Sequence, residues 1–281
     1  MGRPKIEIPC DVLHELYQTQ KTSPKVIAQR FGCHRQTIIN RLRNCGIAVR
    51  SKGEAMAIAK VTFPRADFSG DAREKAYLIG LRIGDLTVTH INPEGQTIKV
   101  ECASTRPEQI TLIRELFQDY GRVVENGPYA QGRISIQCLL NLSFGFLLHK
   151  PNRIPEWILE ADDTLLPFLA GYTDAEGHFG ISGGKARFAL ASGDSEILKQ
   201  AHVRLSKLGV ICPPPYIWLK RGYVNSAGVT THRDIWRLGV YRANSLSRLI
   251  KLLAPHLRHA KRRRDMEKVQ RHLQEKGTGF S

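Results

Sequence analysis

The spacing of apolar residues along the chain predicts two kinds of region. The first is helical. Val12 to Thr19 reads as one helix, and Ser23-Pro24 as the cap and first position of a second. That helix runs to about Phe31, with Val26, Ile27 and Phe31 turned inward. Gly32 makes a turn, and His34 to Asn44 forms a third helix carrying Ile38, Ile39 and Leu42 inward, a helix-turn-helix pattern. Residues 51–70 read as a linker with a short helical piece. Beyond it the period alternates between helix and strand. Leu86 to Ile91 and Thr97 to Ala103 alternate as paired strands across the turn Asn92-Pro93-Glu94-Gly95. Glu108 to Tyr120 is an amphipathic helix with Ile110, Ile113, Leu116 and Phe117 on one face. Gly121 to Val124 and Arg133 to Cys138 are strands, and Leu140 to His149 starts a helix. The order recurs downstream: strands at 178–182 and 186–191, a helix from Ser195 to Leu208, strands at 216–224 and 232–241, a helix at 244–254 and a basic tail from Arg258.

The recurrence has a sequence core. Residues 78–86 read Leu-Ile-Gly-Leu-Arg-Ile-Gly-Asp-Leu, and residues 169–177 read Leu-Ala-Gly-Tyr-Thr-Asp-Ala-Glu-Gly. Gly80 falls on Gly171, Gly84 on Ala175 and Asp85 on Glu176, each pair 91 residues apart, which points to a duplicated domain. Small residues four apart share one helical face and permit close approach of two backbones. Two such helices, side by side and parallel, would bring Asp85 and Glu176 together at their C-terminal ends. Paired carboxylates beside the free carbonyls of a last helical turn suit a hard divalent cation.

Composition narrows the partner. Lys+Arg total 42 against 26 Asp+Glu, a formal charge of +16, which favours a polyanion. Residues 1–65 alone carry twelve Lys+Arg against four Asp+Glu. No apolar run approaches the ~20 residues of a membrane span, and no signal peptide is evident, so the expected setting is intracellular, cytoplasm or nucleoid, with an organelle as the alternative. The six cysteines include no Cys-x-x-Cys pair, so neither a zinc site nor a disulfide framework is expected, and Cys33 and Cys45 read as core fillers.

The two phrases resemble the paired motifs of the LAGLIDADG homing endonucleases, in the single-chain form with two motifs. The second phrase matches at nearly every position. The first departs at Ile83, where the motif often has Asp, and at Leu86, where Gly would allow a left-handed helix cap. The resemblance implies an α+β fold: a pseudo-twofold pair of α-β-β-α-β-β-α repeats whose antiparallel sheets form a saddle over the DNA major groove, preceded here by a small all-α helix-turn-helix domain. The divisions are 1–65 (helix-turn-helix and linker), 66–160 and 161–281. The implied activity is site-specific hydrolysis of double-stranded DNA, leaving staggered 3′ overhangs at a long site, by a monomer encoded within an intron and using Mg²⁺, with Mn²⁺ or Ca²⁺ substituting in binding.

Residue by residue, Asp85 and Glu176 are the expected metal ligands, joined by the carbonyls of Gly84 and Ala175. Lys150 and Lys261 stand at corresponding places in the two repeats, and with Arg106 they are the expected basic groups of the chemistry. On the third helix, Arg35, Gln36, Thr37, Asn40, Arg41 and Arg43 are candidates for base or phosphate contact. His90, Lys99, Glu101, Lys185, Arg187, Lys220, Arg221, Arg233 and Arg237 are the corresponding candidates on the sheets. Lys261 to Arg264 is read as a phosphate-contacting run, with a solvated helix end as the bland alternative. The competing functions are a non-cleaving DNA-binding regulator on the same fold and an intron RNA maturase.

Overall fold

The computed structural model describes residues 7–59, 63–226 and 228–277. Backbone proximity divides the chain into two units: Met1–Pro64 with Asn92–Gln96, and Arg65–Ile91 with Thr97–Ser281.

In the first unit, α1 (Cys10–His14) continues as a π-helical turn through Thr19. Helix α2 (Pro24–Arg30) starts where Ser23 Oγ accepts the Val26 N–H at 3.3 Å. Helix α3 (Arg35–Asn44) follows a turn at Gly32, whose φ of +64° suits a residue without a Cβ. Leu13, Leu16, Tyr17, Ile27, Ile38, Leu42 and Ile47 form a separate small core. Val26 was expected inside but faces solvent, and Ala28 takes the inward position beside Ile27. The cysteine expectation fails here too: Cys45 is disulfide-bonded to Cys10, while Cys33 is free. The partners are 35 residues apart, and folding brings the start of α1 to the end of α3 with Cα atoms at 5.6 Å. Sequence spacing carries no trace of that approach. Within the region read as a linker, α4 spans Lys52–Ala59. Residues 60–62 lie outside the described residues.

The second unit is built around α5 (Ala72–Gly84) and α8 (Asp162–Glu176). Asp71 caps α5 by accepting the Glu74 N–H at 2.9 Å. A Cβ on Gly80 would stand 2.1 Å from the Phe168 carbonyl oxygen, and one on Gly171 would stand 2.1 Å from the Tyr77 carbonyl oxygen. Further along, a Cβ on Gly84 would meet that of Ala175 at 2.4 Å. The close approaches advance in the same direction along both helices. The helices are therefore parallel, backbone against backbone, with their C-terminal ends together.

Each motif helix feeds a four-stranded antiparallel sheet. The first orders β1 (Thr87–His90), β2 (Ile98–Ser104), β4 (Ile134–Leu140) and β3 (Arg122–Asn126) as β1-β2-β4-β3. The second orders β5 (Gly177–Ser182), β6 (Lys185–Ser192), β8 (Ile235–Val240) and β7 (Tyr216–Leu219) as β5-β6-β8-β7. Period-two burial divides each sheet, with Ile98, Val100 and Cys102 inward and Lys99 and Glu101 outward on β2. Helix α6 (Pro107–Phe117) packs on β2 and β4, and α9 (Ser195–Lys207) on β8. One hydrophobic core runs through both halves.

Three element expectations need correction. The helix expected at Leu140–His149 is a 3-10 helix, Leu142–Leu147. Its buried Phe144 and Leu147 are three apart, which suits three residues per turn. A four-residue helix, α7 (Glu156–Leu159), precedes α8. The strands expected at 216–224 and 232–241 are shorter. Lys220 and Arg221 lie in a turn beyond β7, next to Gly222 with φ +86°. Beyond α10 (Ala243–Leu253), the basic tail contains an 18-residue helix, α11 (Ala260–Gly277), which buries Met266 and Val269 and packs along β5 and β6.

Candidate active site

The site lies where α5 and α8 end. Asp85 is the C-cap of α5, and its N–H donates to the Leu81 carbonyl at 3.1 Å. Glu176 is the last residue of α8. The Cβ position of Gly84 is 2.9 Å from Glu176 Cγ and 3.4 Å from its Oε1, so the Glu176 side chain lies against the final turn of α5, one residue from Asp85. The expected left-handed cap is absent in the second repeat, because Gly177 has φ −79° and ψ 155°. Glycine is needed there for space: a Cβ would stand 2.6 Å from the Thr173 carbonyl oxygen. In the first repeat Leu86 takes that place, and Arg82 donates to the Leu86 and Leu147 carbonyls, holding the chain as it leaves the helix.

Both carboxyls hold their protons more tightly than usual. Burial is the larger cause at Asp85 and the Glu176 charge the next, which together raise it to about 7, while Arg262 and Arg106 pull the other way. Glu176 is also raised, first by burial and then by the charge of Asp194, against Lys150, Arg233 and Arg262. Such crowding is relieved by a cation. Among the described residues, no cluster of three or more His, Cys, Asp and Glu side chains is arranged to hold a metal ion. The donors present are two carboxylates and main-chain carbonyls. That set fits Mg²⁺, which keeps several waters and takes one or two protein carboxylates along with substrate phosphate. Of the two expected carbonyl ligands, that of Ala175 accepts a hydrogen bond from Arg262 Nη2 at 3.2 Å.

The surroundings of the two acids differ. Asp194, unremarked in the sequence, sits beside Glu176. It accepts from Ser192 Oγ at 2.7 Å and from Lys150 Nζ at 3.4 Å, and Arg233 Nη1 is 3.9 Å away. Lys150 lies in this cluster beside Glu176, whereas Lys261 pairs with Asp265 on its own helix. Arg106 is exposed and near enough to Asp85 for its charge to act there.

Asp174, the other acidic residue of the second phrase, is fully buried. It accepts from Tyr77 Oη at 2.8 Å and from the N–H groups of Arg258 and His259 at 2.8 and 3.1 Å, tying α5 and the approach to α11 onto α8. Burial, partly offset by these bonds, raises it to about 6. Ile83 stands at the equivalent place in α5, so this tie exists in one direction only.

The run Lys261–Arg264 is divided, with Arg263 and Arg264 exposed, Lys261 half-buried and Arg262 turned inward. Arg258 pairs with Glu74 at 2.8 Å and lies over the Tyr77 ring, Arg264 pairs with Glu108, and Arg262 is only 8% exposed. Charge alone would not distinguish these from surface residues. The signal was Met266, Val269 and Leu273 at helical spacing just downstream.

The remaining candidates spread over the outer surfaces. On α3, Arg35, Gln36, Thr37, Asn40 and Arg43 are exposed, while Arg41 is half-buried with its Nε 3.4 Å from the Ile8 carbonyl oxygen. On the first sheet, Lys99 pairs with Glu101 at 2.8 Å, and Glu101 also accepts from Ser135 and Gln137, while His90 is exposed. On the second, Arg187 and Arg237 are half-buried, Arg237 lying 4.8 Å from the centre of the Trp218 ring, and Lys185, Lys220 and Arg221 are exposed. Among the described residues, no helix is long and apolar enough to cross a membrane.

No protein-family model and no curated protein matches the chain. Solved structures do resemble it. One, the homing endonuclease I-DmoI in complex with DNA and Ca, is 16% identical over 65% of this chain and 89% of that chain, with a TM-score of 0.46. The LAGLIDADG homing endonuclease I-GzeII with its DNA target is 9% identical over 74% and 92%, at 0.45. The homing endonuclease I-WcaI on its DNA recognition sequence is 14% identical over 81% and 98%, at 0.45. At such values these likenesses carry no functional weight for this chain.

Proposed function

We propose that the protein is a metal-dependent, site-specific endonuclease of double-stranded DNA. The observation that carries this reading is the seam itself: two helices in backbone contact deliver Asp85 and Glu176 to one place, where both carboxyls are raised by burial and by neighbouring charge. A protein that only bound DNA would gain nothing from crowding two acids there, at a cost to its own stability.

Asp85 and Glu176, with the Gly84 carbonyl, would hold the divalent cation. When bound, it supplies an activated water and positive charge against the phosphate under attack. Lys150 and Arg233, gathered by Asp194, supply cationic character beside Glu176, and Arg106 does so beside Asp85. Water adds to phosphorus and the bond to the 3′ oxygen breaks. The exposed residues of α3 and of the two sheets would supply phosphate and base contacts.

Selection of cleaved sites from a random duplex library with Mg²⁺ tests the proposal. Recovered sites should be long, and Asp85→Asn should bind them without cutting. A library that yields bound but uncut sites would instead favour a regulator.

A further inference from the structure

Arg262 is the cationic side chain that the two site acids share. Its charge opposes the raised proton affinity of Asp85 and of Glu176, whereas Arg106 acts on the first and Lys150 and Arg233 on the second. It enters from α11, is 8% exposed, and donates from Nη2 to the Ala175 carbonyl in the last turn of α8. Its Nε has no hydrogen-bond partner among the described residues. A buried guanidinium with an idle donor is expensive unless nearby negative charge compensates it. Here the compensation comes from Asp85, with Asp174 and Asp265, and from the negative end of the helix whose carbonyl it holds.

We propose that Arg262 is a built-in counter-ion of the carboxylate seam: it occupies the Ala175 carbonyl, holds the pair together when no metal is present, and confines a divalent cation to the carboxylate oxygens and the Gly84 side. It is a positioning residue, and the proposal rests on the metal-site reading above. The two helix ends then differ in function. The α5 end keeps its carbonyl for a cation, and the α8 end has surrendered its own to a guanidinium. Removing Arg262 takes away a positive charge that repels the incoming cation and frees a carbonyl ligand. Cation affinity should therefore rise even as the metal-free protein becomes less stable. A residue that merely filled space would lower both.

The test is Ca²⁺ binding by the full-length protein, followed by calorimetry and by melting temperature with and without Ca²⁺. Arg262→Gln should bind Ca²⁺ on the order of tenfold more tightly than the parent, melt lower without it, and recover more of its melting temperature when it is added. Arg262→Lys, which keeps the charge, should stay within about twofold of the parent affinity. Equal affinity in the parent and Arg262→Gln overturns this inference and leaves the metal site standing. No Ca²⁺ binding by the parent or by either variant overturns both. A measurement on the unaltered protein covers the case in which Arg262→Gln does not fold. In crystals soaked with Mn²⁺, the anomalous peak should lie against Asp85 or Glu176 with the guanidinium still on the Ala175 carbonyl. A peak bonded to that carbonyl, with Arg262 displaced, overturns the inference.

Discussion

The two halves keep the same backbone contact and surround it with different chemistry. Gly80 and Gly171 are interchangeable in geometry, each one Cβ short of a collision with the opposite helix. The acids beyond them are not interchangeable. Asp85 ends a helix finished by Arg82 and lies in the field of Arg106. Glu176 ends a helix tied down by Asp174 and borders an acid–base cluster of Asp194, Lys150 and Arg233. The sheets diverge likewise. The first presents a hydrogen-bonded polar network of Lys99, Glu101, Ser135 and Gln137. The second presents rings and guanidiniums, with Trp218 and Tyr216 47% and 43% exposed and Arg237 over the Trp218 ring. Contact between backbones leaves no room for change, whereas side chains around an acid can vary as long as its charge is balanced. Duplicated motifs therefore retain their shape and lose their chemical symmetry.

The shared part should break most severely. Gly80→Val and Gly171→Val each force the helices apart and should cost about 4 kcal/mol or more, measured by denaturant unfolding. Costs that differed widely between the two would contradict the reciprocal packing.

The acids come next. Asp85→Asn and Glu176→Gln should each reduce cleavage by two or more orders of magnitude while binding persists, read on a target plasmid. The pH dependence follows from Asp85, raised from 3.8 to about 7. A raised folded value means the native state binds that proton more tightly than the unfolded chain does. The stability it contributes is complete below 3.8 and fades as pH climbs through 7. Metal-free protein should therefore melt lower near pH 8 than near pH 5, and Asp85→Asn should flatten that slope. Cleavage should rise over the same interval, because the cation takes the ionised form.

Asp194→Asn sharpens the contrast, since among the described residues Glu176 is the one acid whose charge acts on Asp85. It releases Lys150 and Arg233 and should slow one strand by roughly tenfold more than the other, seen as accumulated nicked circles. Equal slowing would mean that the cluster serves both strands.

The smallest effects belong to the sheets. Trp218→Ala should weaken DNA binding by about 1 kcal/mol through lost ring contact and a freed Arg237. Glu101→Gln, which releases Lys99 on the other sheet, should leave affinity within a few tenths of a kcal/mol and mainly steepen its salt dependence.

What the sequence determined by itself was most of what is local or repeated, the short helix after β4 and the ends of β7 and β8 excepted. The paired glycines, the position of each acid at a helix end, the alternating strands and the helix at Ser195 were legible because periodicity and spacing act within a few residues, and the 91-residue register carried each conclusion from one half to the other. What only the tertiary structure decided were meetings across the chain. Cys10 reached Cys45, Asp194 reached Glu176, and Arg262 entered the seam from a helix read as a basic tail. Whether an arginine is solvated, paired or buried depends on which carboxylates and carbonyls the fold brings to it. Those distances are set by packing between segments far apart in sequence, so no local pattern records them.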